Sequence, residues 1–132
     1  MKIIPSKNLV ENALLHIKTI EPTKALELID KKLCNLIDIR DIRELDNEGR
    51  IEEAKHIPRG MLEFWLDPQS SYFKENKLNL NKKIVLFCAL GMRSALATKS
   101  LIDMGYTNAA HVNGGFDTLK QSGLEIVVKK KK

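Results

Sequence analysis

Apolar residues along the chain follow two spacings, and the switches between them mark its elements. Leu9, Val10, Ala13, Leu14, Leu15, Ile17 and Ile20 recur at helical intervals. That spacing predicts an amphipathic helix over 8–20, with Ser6 or Asn8 available to cap it. Ile20-Glu21 reads as a brief extended piece. Pro22 suits the first turn of a second helix, over 23–32, that buries Ala25, Leu26, Leu28 and Ile29. Residues 33–40 read as a strand, buried over 36–39, with charges crowding its end from Asp38 to Glu44. A turn follows at 47–50, and then a brief extended segment at 56–58. Residues 60–68 form a short helix rich in large apolar groups and closed by Pro68. Residues 69–80 are polar and read as a loop. The run Ile84-Val85-Leu86-Phe87 reads as a buried strand, and 109–112 as another. Helices are predicted over 94–104, stopped by Gly105, and over 116–121, ended by Gly123. Residues 124–128 are extended. Alternating strands and helices predict an α/β fold with a mostly parallel sheet. Its three most apolar strands, near residues 36, 85 and 111, belong at the centre.

Composition narrows the setting. At 132 residues, 43% hydrophobic and 30% charged, the chain reads as one soluble domain, without internal repeats or a dividing linker. It has no membrane-spanning run and no export signal, so a cytoplasmic location and no membrane partner are expected. Of the net charge of +5, four units belong to the lysine tail, 129–132, which reads as a disordered end. The rest is nearly balanced, and no nucleic-acid partner is expected. Cys34 and Cys88 are expected to stay as thiols in a reducing compartment. Cys34, Cys88, His56 and His111 lack the spacing of a zinc site, so no metal is expected.

The stretch 84–95 carries the chemistry. A buried strand delivers Cys88 to a tight loop, Ala89-Leu90-Gly91-Met92, followed by Arg93, Ser94 and a helix. Backbone N–H groups and the positive end of a helix dipole stabilise a thiolate placed this way. Gly91 lets the loop curl through a positive φ. Arg93 is a candidate for two roles: contacting an anionic substrate, or bracing the loop through a carboxylate such as Asp38. Ser94 is a candidate N-cap. Ala89, Leu90 and Met92 either line the mouth of a pocket as a docking surface or pack inward, and partial exposure is the expectation for so short a loop. Arg59 is a candidate second positive group at the entrance. His56 lies near the same edge, and His111 reads as a structural strand residue.

The ordered motifs resemble those of single-domain rhodaneses. They are Asp38-Ile39-Arg40-Asp41 with Glu44, Gly49-Arg50-Ile51 with Ala54-Lys55-His56-Ile57-Pro58, the loop from Cys88 to Ala95, Gly105-Tyr106, and Val112-Asn113-Gly114-Gly115-Phe116. The resemblance implies a three-layer sandwich, with a central parallel sheet of about five strands and helices on both faces. It divides the chain into an N-terminal helical extension, 1–20, a rhodanese-like domain, 21–128, and the tail. It also implies sulfur transfer through a Cys88 persulfide, without a cofactor. The donor would be a small sulfur anion such as thiosulfate, and the acceptor a thiol or cyanide; a protein could serve as either. Ala89, Leu90, Gly91, Met92, Arg93, Ser94 and Arg59 would bind substrate, and Asp38 and Arg40 would support the loop. Glu44 stands near where two-domain thiosulfate enzymes carry a donor-binding arginine, and Glu53 replaces a usual glycine. Two other readings stay open: a non-enzymatic sulfur-carrier or regulatory module, and a cysteine phosphatase or arsenate reductase. Dual-specificity phosphatases, however, carry one more residue between cysteine and arginine than the four here.

Overall fold

A computed structural model describes residues 1–73 and 78–128. The lysine tail and part of the 69–80 loop therefore lie outside the described residues. Five strands form one parallel sheet: β1 (Lys18–Ile20), β2 (Cys34–Asp38), β4 (Lys55–His56), β5 (Lys83–Phe87) and β6 (Ala109–Val112). Their order is β1-β6-β5-β2-β4, so the three most apolar strands are central, as their composition predicts. β3 (Arg50–Ile51) and β7 (Ile126–Val127) pair antiparallel in a second, two-stranded sheet that the hydrophobic pattern does not announce.

The alternation along the central strands sorts side chains onto two faces. Ile37, Ile84, Leu86 and Cys88 pack with Leu62 and Leu66 from the region of α4 (Leu62–Trp65), and with Ala97 and Leu101 of α5 (Met92–Asp103). Leu36, Val85 and Phe87 pack with Ala25 and Leu28 of α2 (Pro22–Asp30), and with Phe116 and Leu119 of α6 (Gly115–Gln121). Most of these side chains are essentially inaccessible, and each large one contributes roughly 1.5–3 kcal/mol by leaving water. The result is the three-layer sandwich expected from the sequence.

The first helix is shorter than its apolar spacing suggests. α1 (Ser6–Leu14) packs against α5 and ends six residues before Ile20. His16 turns back on it, with Nδ1 at 2.9 Å from the Asn12 carbonyl. Residues 18–20 then pair with β6, Thr19 opposite His111 and Ile20 opposite Val112. Sheet pairing of the β-branched Thr19 and Ile20 outweighs continuation of the helix. The segment 1–20 thus contributes an edge strand as well as a helix. Among the described residues, no helix is long and apolar enough to cross a membrane.

Candidate active site

The carboxyl ends of β2 and β5 lie side by side, with Asp38 in register with Phe87. Cys88 follows directly, and the chain turns through Gly91 at φ 110° into α5. α5 begins at Met92, two residues before Ser94. Ser94 is therefore not the N-cap; Gly91 is, and Ser94 occupies the third helical position. That shift gives Ser94 another use. Its side chain is fully buried, and its backbone N–H, one of the free donors of the first turn, points at Cys88 Sγ from 3.3 Å. The Gly91 N–H donates to the same sulfur from 3.1 Å. Cys88 itself is 1% exposed. The loop is buttressed from below by α6, whose Phe116 N–H donates to the Cys88 carbonyl at 2.7 Å.

A polar chain leads away from the sulfur. The Cys88 thiol lies 3.5 Å from the Ser94 hydroxyl, and that hydroxyl lies 2.9 Å from His111 Nδ1. His111 Nε2 is 2.9 Å from the Thr19 hydroxyl. His111 is 2% exposed, and burial pushes its pKa down to about 4, so the ring is neutral at physiological pH. Nothing in the local sequence marks His111 or Thr19. Only the parallel register of β1 and β6, together with the first turn of α5, brings them to the cysteine.

Arg93 does not reach Asp38. Its two terminal nitrogens bind Glu44 Oε1 and Oε2, each at 2.8 Å. Glu44 also closes a capping box at the start of α3 (Ile42–Glu48), accepting from the Asp41 N–H at 2.9 Å. The hydrogen bond from Arg93 lowers the Glu44 pKa and in turn raises that of Arg93. The bracing partner is thus Glu44, because Asp38 is already taken. Asp38 and Arg40 form a fully buried pair, with Arg40 Nε and one terminal nitrogen 2.8–3.1 Å from the carboxylate oxygens. Arg40 also donates to the Gly49 carbonyl and lies 3.9 Å over the Phe116 ring. Its connection to the cysteine loop therefore runs through Phe116.

Arg59 is engaged elsewhere. It binds Glu63 at 2.8 Å and Ser100 of α5 at 3.3 Å, so its guanidinium serves the helix packing rather than the loop. His56 binds the Arg40 carbonyl at 2.7 Å. Leu90 and Met92 stand out from the loop at 65% and 59% exposure, and Ala89 is half-buried. Cys34 lies among the core residues on the α2 face, where burial raises its pKa. Among the described residues, no group of His, Cys, Asp and Glu could hold a metal ion.

The Rhodanese-like domain profile matches residues 21–122. The chain belongs to the rhodanese-like domain family. Its similarity to solved structures extends over nearly its whole length. A Rhodopseudomonas palustris protein of unknown function, described as a possible tyrosine phosphatase, is 38% identical with a TM-score of 0.87. That alignment covers 96% of this chain and 97% of the other. The polysulfide-sulfur transferase homodimer of Wolinella succinogenes is 30% identical with a TM-score of 0.73, covering 94% and 88%. The thiosulfate sulfurtransferase GlpE of Actinobacillus pleuropneumoniae is 28% identical over 107 residues, which is 81% of this chain and 90% of that enzyme. This rhodanese-like chain thus shares its fold and its general sequence pattern with sulfurtransferases.

Proposed function

We propose that this rhodanese-like protein is a sulfurtransferase that carries sulfane sulfur on Cys88. One observation carries the reading: the Cys88 sulfur sits at the start of α5 and receives two backbone N–H groups, from Gly91 and Ser94. Such donors stabilise an anionic sulfur without adding an acid that would protonate it. The thiolate attacks the outer sulfur of a donor such as thiosulfate. A new S–S bond forms to Cys88, the donor's S–S bond breaks, and sulfite leaves with the electron pair. An acceptor thiolate or cyanide then takes the outer sulfur and returns Cys88 to its starting state. No cofactor takes part.

The loop residues Ala89 to Ser94 surround the transferred sulfur in this reading. Arg93 acts mainly as a brace through Glu44, contributing a positive field to the loop (its charge acts favourably on Cys88). Leu90 and Met92 offer an exposed apolar rim that suits a protein donor or acceptor of sulfur. Two free thiols fit a reducing, cytoplasmic setting.

Phosphatase chemistry is disfavoured by the same geometry. The loop has four residues between Cys88 and Arg93, and both terminal nitrogens of that arginine are held by Glu44. The test is a side-by-side turnover assay. Transfer from thiosulfate or polysulfide to cyanide or a thiol should be readily measured, with aryl phosphate left intact. Hydrolysis of the aryl phosphate without sulfur transfer would reverse the assignment.

A further inference from the structure

We propose that Ser94, His111 and Thr19 form a relay that moves the Cys88 proton between the buried sulfur and solvent. The inference rests on Cys88 working as a thiolate, as above, and adds how a buried thiol loses its proton. Cys88, Ser94 and His111 are 1%, 0% and 2% exposed, whereas Thr19 lies exposed on the edge strand β1. The relay therefore spans the distance from an almost inaccessible sulfur to the surface. Its steps are 3.5, 2.9 and 2.9 Å.

Every bond in the chain can be made in two directions. With Cys88 as a thiol, S–H donates to Ser94 Oγ, the Ser94 hydroxyl donates to His111 Nδ1, and His111 Nε2–H donates to Thr19 Oγ1. With Cys88 ionised, all three reverse: Thr19 donates to Nε2, Nδ1–H donates to Ser94, and Ser94 donates to the thiolate. Between the two states, the sulfur keeps the electron pair of its S–H bond. Each oxygen gains one proton and passes one on, the imidazole exchanges an Nε2 proton for one at Nδ1, and water at Thr19 takes the released proton. The ring is neutral at both ends of the exchange, in keeping with the burial that holds its pKa low. A histidine serving only to fill the strand would have no reason to change tautomer when the cysteine ionises. Ser94 touches the reacting sulfur and is a catalytic residue in this scheme. His111 and Thr19 are positioning residues.

The test is nitrogen NMR of the full chain with isotopically labelled histidine, read while Cys88 ionisation is followed by thiolate ultraviolet absorbance. The His56 Nε2, 2.7 Å from the Arg40 carbonyl, which can only accept, supplies the reference signal of a protonated Nε2. His111 is expected to pass from the Nε2–H to the Nδ1–H tautomer in step with the thiolate, and to stay fixed in Cys88→Ala. Ser94→Ala should uncouple the two and slow alkylation of Cys88 by iodoacetamide roughly tenfold, as loss of one hydrogen bond to a charged group implies. A His111 tautomer that stays the same as wild-type Cys88 ionises, or a ring that becomes cationic instead, overturns the relay. The tautomer is read whether or not Cys88 accepts sulfur, so failure of the sulfurtransferase reading is recognised separately.

Discussion

Gly115→Ala is expected to damage the cysteine loop from behind, although it replaces no residue of that loop. Gly115 adopts φ +62° at the start of α6, where an L side chain costs about 1–2 kcal/mol. A Cβ there would lie 2.3 Å from the Cys88 carbonyl oxygen and 2.8 Å from that of Ala89. Both are backbone atoms, so the loop and the helix must separate until the closer contact exceeds 3.0 Å. That movement strains the 2.7 Å bond from the Phe116 N–H to the Cys88 carbonyl, a bond worth about 1 kcal/mol. The expected loss of stability is therefore about 2–3 kcal/mol. A displacement on the order of 1 Å at the reacting group lowers the rate of sulfur loading on the order of 100-fold. Urea denaturation reads the first quantity, and single-turnover persulfide formation reads the second. Gly123→Ala is the control. Gly123 has φ +98° but open space around its Cβ position, so it should lose about 1 kcal/mol and load sulfur normally. Gly115→Ala loading within twofold of wild type would refute the argument that α6 sets the position of Cys88.

Three further outcomes follow from charges in the same region. His111 has its pKa lowered from 6.5 to about 4, so the unfolded chain binds its proton first. Its contribution should be intact above pH 6.5 and decline by about 3 kcal/mol as pH falls towards 4; the difference between wild type and His111→Gln in urea melts across that range measures it. Glu44 has its pKa lowered by Arg93, so its contribution is present above its ordinary 4.5 and fades as pH falls below that. The pair is partly exposed, and Glu44→Gln should cost less than about 1 kcal/mol in thermal or urea unfolding. Arg40→Met leaves Asp38 charged and buried without its partner, and should cost about 3–5 kcal/mol in the same assay.

The parallel sheet, its central strands and its helical faces are legible in the sequence because hydrophobic spacing reports burial directly. The Leu36, Val85 and Val112 side chains sit where a continuous apolar run demands. The end of α1 is not legible in the same way. Ile17 and Ile20 continue a helical spacing, and only pairing with β6, more than ninety residues later in the chain, turns 18–20 into a strand. The β3–β7 pair is hidden for the same reason.

At the site, local order favoured some residues and concealed others. Cys88, Gly91 and Arg93 stand within one short loop, so their conjunction can be read along the chain. The carboxylate that holds Arg93 cannot, because Asp38 and Glu44 are both plausible by position. The structure decides it through Arg40, which takes Asp38 in the buried interior and leaves Glu44 for Arg93. Asp41-x-x-Glu44 is a capping-box pattern, and it was the available signal that Glu44 would be held near that strand end. The N-cap of α5 is Gly91, three residues before Ser94, and that small shift separates an N-cap from a hydroxyl aimed at the cysteine. By its position in the sequence Arg59 is a second cation at the entrance, but its i+4 partner Glu63 claims it.

The central claim is that Cys88 carries sulfur, and intact mass measurement tests it most directly. After incubation with thiosulfate or polysulfide and removal of excess donor, the protein is expected to gain one sulfur atom. The gain should vanish on adding a thiol or cyanide, be absent in Cys88→Ser and persist in Cys34→Ser. A wild-type chain that gains no sulfur from either donor, or a Cys88→Ser chain that gains it as readily, would contradict the account.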